Sequence, residues 1–586
     1  MYSYNITWID FGAFFSMLIV SLLIGVYFAY FAAEKQNTKD EYLMGGKTMS
    51  VFPISMSLIA SYLSGISVLG FPAELYTYGT MYSLAGLAWA SACIPMGIIY
   101  IPVFFKLRVT SSYEYLKLRY GNSAKFLGAV LFIIKQLLYI PVVMYVPALA
   151  FNQVTGMNLH LITSIACAIC VFYTCVGGIK AVVWTDTFQI FIMLLGMIVV
   201  LLIGMYNLPG FSMIFEKAAE SGRLEFFNSS FDLRERLTVW NILIGDFLLA
   251  VENCSVSQTI VQRCLCLPNL RQARKALGIF AIGQIFIVML CCMTGLVVYA
   301  TFYDCDPVTT KVIQKPDQIL PLFVSKIAPE KIPGLAGIFL SGVFSASLST
   351  MSTGLNSMAG VAYEDIIKPF YKKELSEAAV SNIMKAIVVL LGTICVILVF
   401  MIEKMGTLFE VGISLAGITS GATLGMFTLG MFLPWVNEKG ALCGGICSLF
   451  IMAWITVSSQ IQINLGNIVY AKKPVSIVGC SHSELNKTID IIVNKPGVNP
   501  GVFYWYAVSY YWYTVIGIII TSVVGVIASY FFGFNDPKSI DKDLLTPLVH
   551  RFYPQSKKME MSEIKVKDNV SKKKLTADQI KHSSID

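Results

Sequence analysis

Charge is what this sequence is short of. Asp, Glu, Lys and Arg make up 13% of its 586 residues, about half of the roughly 25% usual in soluble globular proteins. A chain so poor in charge and 56% hydrophobic has too little polar surface to cover itself in water. We read it as a polytopic membrane protein, for which length says nothing about domain number. Histidine is scarcer still, with four residues at positions 160, 482, 550 and 582 and none beside another, so a zinc centre lacks its usual nitrogen ligands. No P-loop, nucleophile elbow or dinucleotide fingerprint stands in a fitting context. ATP-driven transport is therefore not indicated, and we expect no enzyme. The net charge of +8 lies largely in the last 40 residues and in short loops, where orientation rules place it; nucleic acid is not an expected partner.

Cysteine is present, fourteen times, but mostly inside apolar runs, as at Cys167, Cys170, Cys291, Cys292, Cys443 and Cys447, where it acts as a small hydrophobe. Spans of about 20 apolar residues, enough to cross a bilayer, fall near 9–32, 50–70, 82–105, 126–150, 159–178, 187–207, 238–258, 276–302, 334–358, 380–402, 407–434, 438–460 and 507–533. The first run is too long for a signal peptide and has no cleavage-like site, so it reads as a retained helix. Thirteen spans put the termini on opposite sides. Three glycosylation sequons, at Asn5, Asn228 and Asn486, all fall on one side under this count, which is then the outside. Lys106, Arg108, Lys117, Arg119, Arg263, Arg271, Arg274 and Lys275 follow spans three and seven on the other side, as the positive-inside rule asks. The expected orientation is N-terminus extracellular and C-terminus cytoplasmic, in the plasma membrane. Cys305 and Cys480 both fall in outer loops, free to pair in an oxidising compartment.

Residues 53–72, PISMSLIASYLSGISVLGFP, break the pattern. Ser55, Ser57, Ser61, Ser64, Gly65, Ser67 and Gly70 interrupt an apolar run bracketed by Pro53 and Pro72. Backbone can unwind at membrane depth only where protein or water satisfies the freed groups. Secondary transporters use such interruptions to hold ions and substrates; close packing of small residues is the other reading.

Several strings resemble the sodium:solute symporter family, in the branch of the iodide, monocarboxylate and multivitamin transporters. They are TSSYEYLKLRYG (110–121), YVPALAFNQVTG (145–156), GGIKAVVWTDTFQ (177–189), DCDP (304–307) with PDQ (316–318), LSTMSTGLNSMAGVAYEDIIKP (348–369) and WYAVSYYWYTVIG (505–517). The likeness covers roughly residues 8–533. It implies an all-α membrane protein of about 13 helices with a LeuT-like core of two inverted five-helix repeats. The expected divisions are an N-terminal end with the first helix and a cytoplasmic loop (1–49), the first repeat (50–207), the second repeat with extracellular loops (208–434), two C-terminal helices with an extracellular loop (435–533) and a disordered cytoplasmic tail (534–586). That tail carries KKMEMSEIKVKD and SKKK, runs that are solvated or rest on anionic membrane lipid.

A desolvated Na⁺ needs about five oxygens, which an unwound helix and nearby hydroxyls can supply. Ala346 lies one helical turn before Ser349, so its carbonyl and that hydroxyl share a face. By resemblance the sodium ligands are the carbonyls of Ala60, Leu63 and Ala346 and the hydroxyls of Ser349 and Thr350; otherwise those hydroxyls bond back to their own helix. Sodium is the only metal expected. Also by resemblance, the substrate cavity includes Tyr62, Ser67, Trp89 and Tyr139, with Gly412 and Ile413. Ser67 and Trp89 stand where the iodide transporter has glutamines, and Gly412 where a serine helps to bind a second sodium; these departures weigh against iodide and against a second ion.

Four ionisable residues fall within spans: Lys135, Asp246, Glu252 and Glu410. Each costs about 2.5–3.5 kcal/mol or more at bilayer depth, so such residues mark pathways or pairs. Lys135 lies four residues before Tyr139, on the same helix face; we expect it beside the cavity, paired with a substrate carboxylate or with Glu252 or Glu410. The functional expectation is sodium-coupled symport of a small organic anion, first a monocarboxylate, then a biotin- or pantothenate-like acid. An uncoupled channel or sensor on the same fold is the alternative from another class.

Overall fold

The computed structural model describes residues 7–32, 38–327, 333–371, 375–402, 408–480, 496–550 and 552. Among them, ten helices are long and apolar enough to cross a bilayer, or eleven when the bent pair Val51–Tyr62 and Gly65–Tyr78 counts as one span. Two of the thirteen expected spans escape that test for physical reasons. Helix Leu159–Tyr206 runs 48 residues, about 72 Å at 1.5 Å per residue, against a hydrocarbon core of roughly 30 Å. It is two crossings joined at Gly178, whose φ of 57° and ψ of −158° suit a residue without Cβ. The expected loop over 179–186 is therefore helical. The seventh span is too short in any one piece: a π-helical turn Asn241–Asp246, a helix Phe247–Ser255, and, after a break, a helix Gln258–Leu265.

The sequence reading carried span seven through to 258 unbroken, and the structure corrects that. Val256 leaves helical geometry at φ −124° and Ser257 is extended at ψ 129°. Span two breaks in the same manner, with Leu63 at ψ 107°, Ser64 at ψ 169° and a bend of 56°. Spans two and seven, with which the two expected repeats begin, are thus both interrupted, as inverted-repeat transporters arrange at the midplane.

Span nine, Leu335–Phe370, forms the centre: its apolar window is 94% buried, against 28% for spans one and thirteen. Its Ser, Gly, Ala and Thr residues let other backbones come close, as membrane interfaces favour. At Gly65 of span two an added Cβ would lie 2.3 Å from Ser347 Oγ and 3.2 Å from Pro147 Cδ.

The loops on one side form a cap. Cys305 and Cys480 are joined by a disulfide, Ile468–Val469 pairs with Gly497–Val498 in a short antiparallel ribbon, and Arg223 reaches the carbonyls of Tyr76 and Pro474. On the other side the tail does not begin as a disordered segment at 534. The Asn535 amide bonds to Trp435 O, the Tyr115 hydroxyl to Leu544 O and the Thr546 amide to Met431 O, and Leu544 and Leu545 are buried. Two apolar side chains and a few backbone bonds dock this stretch. Asn5, Asn486 and the basic runs after 556 lie outside the described residues.

Candidate functional site

A helix end leaves its last carbonyls without partners, and the break in span two does so in the protein interior. The Leu63 amide still bonds to Ile59 O at 3.2 Å. The next carbonyls receive hydroxyls from span nine instead. Ser349 Oγ donates to Ala60 O at 2.6 Å, while Thr350 Oγ1 lies 3.0 Å from Ala346 O and 3.4 Å from Ser61 O. Ser349 therefore does not bond back to its own helix, whereas Thr350 does so in part. Ala60, Leu63, Ala346, Ser349 and Thr350 all sit at this junction, and all are buried. The amide at the start of the second half-helix, Gly65, donates to Ser347 Oγ at 3.2 Å, so span nine satisfies both sides of the break.

One turn away stands a charged network that the sequence reading missed. Arg263 donates to Asp186 at 2.9 Å and to Ser57 Oγ at 2.6 Å, and Ser57 donates to Asp186 at 2.6 Å. Arg263 and Asp186 are both fully buried. Arg263 follows span seven in the sequence, yet after the break in that span it lies on a buried helix, Gln258–Leu265.

Beside the junction lies a cavity of about 130 Å³, far more than the 10–15 Å³ that one water needs. Tyr62, Ser67, Trp89, Lys135, Tyr139, Gly412 and Ile413 all line it, and so does Thr350. The Tyr139 hydroxyl reaches Ser64 Oγ at 3.3 Å, tying span four to the break. The rings of Tyr62 and Trp89 pack with centroids 3.9 Å apart, and Phe280 meets Tyr62 edge-on at 6.3 Å.

The intramembrane charges divide among three places. Lys135 is paired with Glu252 and donates to Asn253 Oδ1 at 3.0 Å. Asp246, at the end of the π turn, lines the cavity and accepts from Trp89 Nε1 at 3.0 Å. Glu410 is no partner of Lys135. It accepts from Arg236 at 2.8 Å, while Arg236 grips Glu74 through two bonds of 2.9 Å. Tyr78, Tyr510 and Tyr470 surround that guanidinium at 4.2, 5.1 and 5.2 Å. Glu74 and Asp186 lie just beyond the apolar runs 50–70 and 187–207, and the longer helices of the structure bury both. Asn253 carried no charge to draw attention. Asn228 is half-buried on the capped side; its amide nitrogen donates to Glu235 at 2.8 Å.

Broken helices around a buried oxygen cluster and a cavity describe a transporter. A model of the sodium:solute symporter family matches residues 42–448. The chain belongs to that family. Among other members, it is 35% identical over 532 residues to sodium-coupled monocarboxylate transporter 1 of Homo sapiens, spanning 89% of this chain and 86% of that protein. It is 34% identical over 526 residues to a putative sodium-dependent multivitamin transporter of Drosophila melanogaster, spanning 88% and 85%. The solved structure of a Na⁺-coupled sialic acid symporter in a substrate-bound outward-open state superposes with a TM-score of 0.74 at 22% identity, covering 91% of this chain and 99% of that one. For this sodium:solute symporter, that likeness establishes the LeuT-like fold.

Proposed function

We propose that this sodium-coupled symporter moves a small organic acid, a monocarboxylate first and a biotin- or pantothenate-like acid second, by alternating access. The observation that carries the reading is the Ser349–Ala60 contact across the break in span two, with the cavity beginning at the adjoining residues Tyr62 and Thr350. Rotating the Ser349 and Thr350 hydroxyls turns their lone pairs toward an ion, which the carbonyls of Ala60, Leu63 and Ala346 complete. The set has no formal charge, so it holds Na⁺ reversibly, in the way that carbonyl-lined sites bind and release. Ligands on both spans two and nine make affinity depend on how the two pack, and such a difference between states is the only means by which sodium can drive the cycle.

A carboxylate substrate finds Lys135 in the cavity, and the relatives' names favour monocarboxylates. The disulfide in the loop cap favours an oxidising exterior on that side, and this supports an N-terminus outside and a C-terminus in the cytoplasm of a plasma-membrane protein. Uptake of labelled short-chain acids, nicotinate, biotin and pantothenate by expressing oocytes, with sodium and with choline replacing it, tests the reading. Saturable uptake that disappears without sodium is expected. Substrate-independent sodium current with no uptake would overturn it in favour of a channel.

A further inference from the structure

The cavity's charged groups leave more to bind than a carboxylate alone supplies. Lys135 is already neutralised by Glu252, and two of the three N–H groups of its ammonium are directed to Glu252 and Asn253. What it can still offer a substrate carboxylate is one N–H. Asp246 is the opposite case. It is 1% exposed and lines the cavity, one carboxylate oxygen accepts from the Trp89 indole, and no Lys or Arg pairs with it among the described residues. In its ionised form this carboxylate would repel an anion entering alone, since like charges in a water-poor site repel strongly.

The groups around Asp246 say what would balance it. Tyr62 and Trp89 lie ring against ring, with Phe280 edge-on to Tyr62, on the same cavity wall. Aromatic faces with a carboxylate are the chemistry that holds ammonium and quaternary ammonium groups. A bare metal ion wants converging oxygens, whereas Asp246 has an indole N–H donor as its partner.

We propose that the substrate is a zwitterion, a carboxylic acid that also bears an ammonium or trimethylammonium group, and that Asp246 with Tyr62 and Trp89 binds its cationic end. This rests on the reading of the cavity as the organic-acid site and narrows it. Lys135 then takes the carboxylate end with its remaining N–H.

Isosteric pairs test the idea in the unaltered protein. Betaine and 3,3-dimethylbutyrate share a shape and differ by one positive charge, as do 4-aminobutyrate and pentanoate. Sodium-dependent uptake should prefer the charged member of at least one pair by tenfold or more in kcat/KM, and Asp246→Asn should bring that ratio towards one. Equal uptake of both members, or preference for the neutral ones, overturns the proposal and leaves organic-acid symport standing; no sodium-dependent uptake of either pair or of any other organic acid overturns both. If Asp246→Asn changes only the Hill coefficient for sodium and leaves the ratio where it was, Asp246 is an ion ligand and the proposal fails.

Discussion

The hydroxyl of Ser349 donates to the carbonyl of Ala60 at 2.6 Å, joining the middle of span nine to a carbonyl that the break in span two has released. A hydroxyl held there is placed to exchange its hydrogen bond for an ion contact. Ser349→Ala removes one oxygen of a buried set, a loss of about 1–3 kcal/mol. The sodium concentration for half-maximal uptake should rise by roughly 5- to 150-fold, with a smaller rise for Thr350→Val, because Thr350 also bonds to its own helix. Sodium activation curves of uptake measure both. An unchanged half-saturation in Ser349→Ala would remove this hydroxyl from the ion site.

Gly65 opens the second half of span two with no room for a side chain. Its Cβ would press on Ser347 Oγ, which is itself fixed by a bond of 2.9 Å to Val143 O. Overpacking of this kind costs about 1–3 kcal/mol. Gly65→Ala should lower the melting temperature of the detergent-solubilised protein and reduce uptake. Ser347→Ala removes the clashing atom, so the two changes together should lose less than the sum of each alone. Strict additivity would show that the close approach does not limit packing.

Those two positions also show what was legible in sequence. Ala346 and Ser349 share a face by helical spacing, the full ligand set with Thr350 comes with the family resemblance, and the small polar residues of 53–72 make a break one of two readings. The break at Val256–Ser257 is not announced: VENCSVSQ reads as the end of a span. Lys135 was expected beside the cavity, but its partner could not be chosen between Glu252 and Glu410, because that depends on which spans adjoin. Arg263 reads as a loop charge for the same reason. Burial of a charge is a property of the assembled bundle, not of its neighbours in sequence.

Lys135 and Glu252 neutralise each other in a site from which water is largely excluded. Removing one partner of such a pair strands the other charge and costs about 3–5 kcal/mol, whereas removing both can be nearly neutral. Lys135→Gln should therefore reduce the amount of folded protein at the cell surface, and Lys135→Gln with Glu252→Gln should restore it. The double variant should still show a raised KM for substrate, since the ammonium that lines the cavity is gone. Surface biotinylation with uptake kinetics separates the two effects. Normal KM in the double variant would assign Lys135 a purely structural role.

Arg236 binds Glu74 of span two and Glu410 of span eleven at once, under the loop cap that carries the disulfide. One guanidinium thus ties the first helix of one repeat to the last helix of the other, at the end of the bundle remote from Arg263. Its planar fork makes two parallel bonds to Glu74, a geometry that Lys cannot reproduce. If this latch holds the capped side shut, weakening it shifts the population towards conformations open on that side. Ser67 lines the cavity and can report the change. In a Ser67→Cys background, Arg236→Lys should speed modification by a membrane-impermeant thiol reagent applied from outside, and sodium-free conditions should not abolish the increase. The parent Ser67→Cys protein supplies the baseline, and the same protein without that cysteine controls for reaction elsewhere. An unchanged rate, with surface expression preserved, would show that the triad stabilises the fold without governing access.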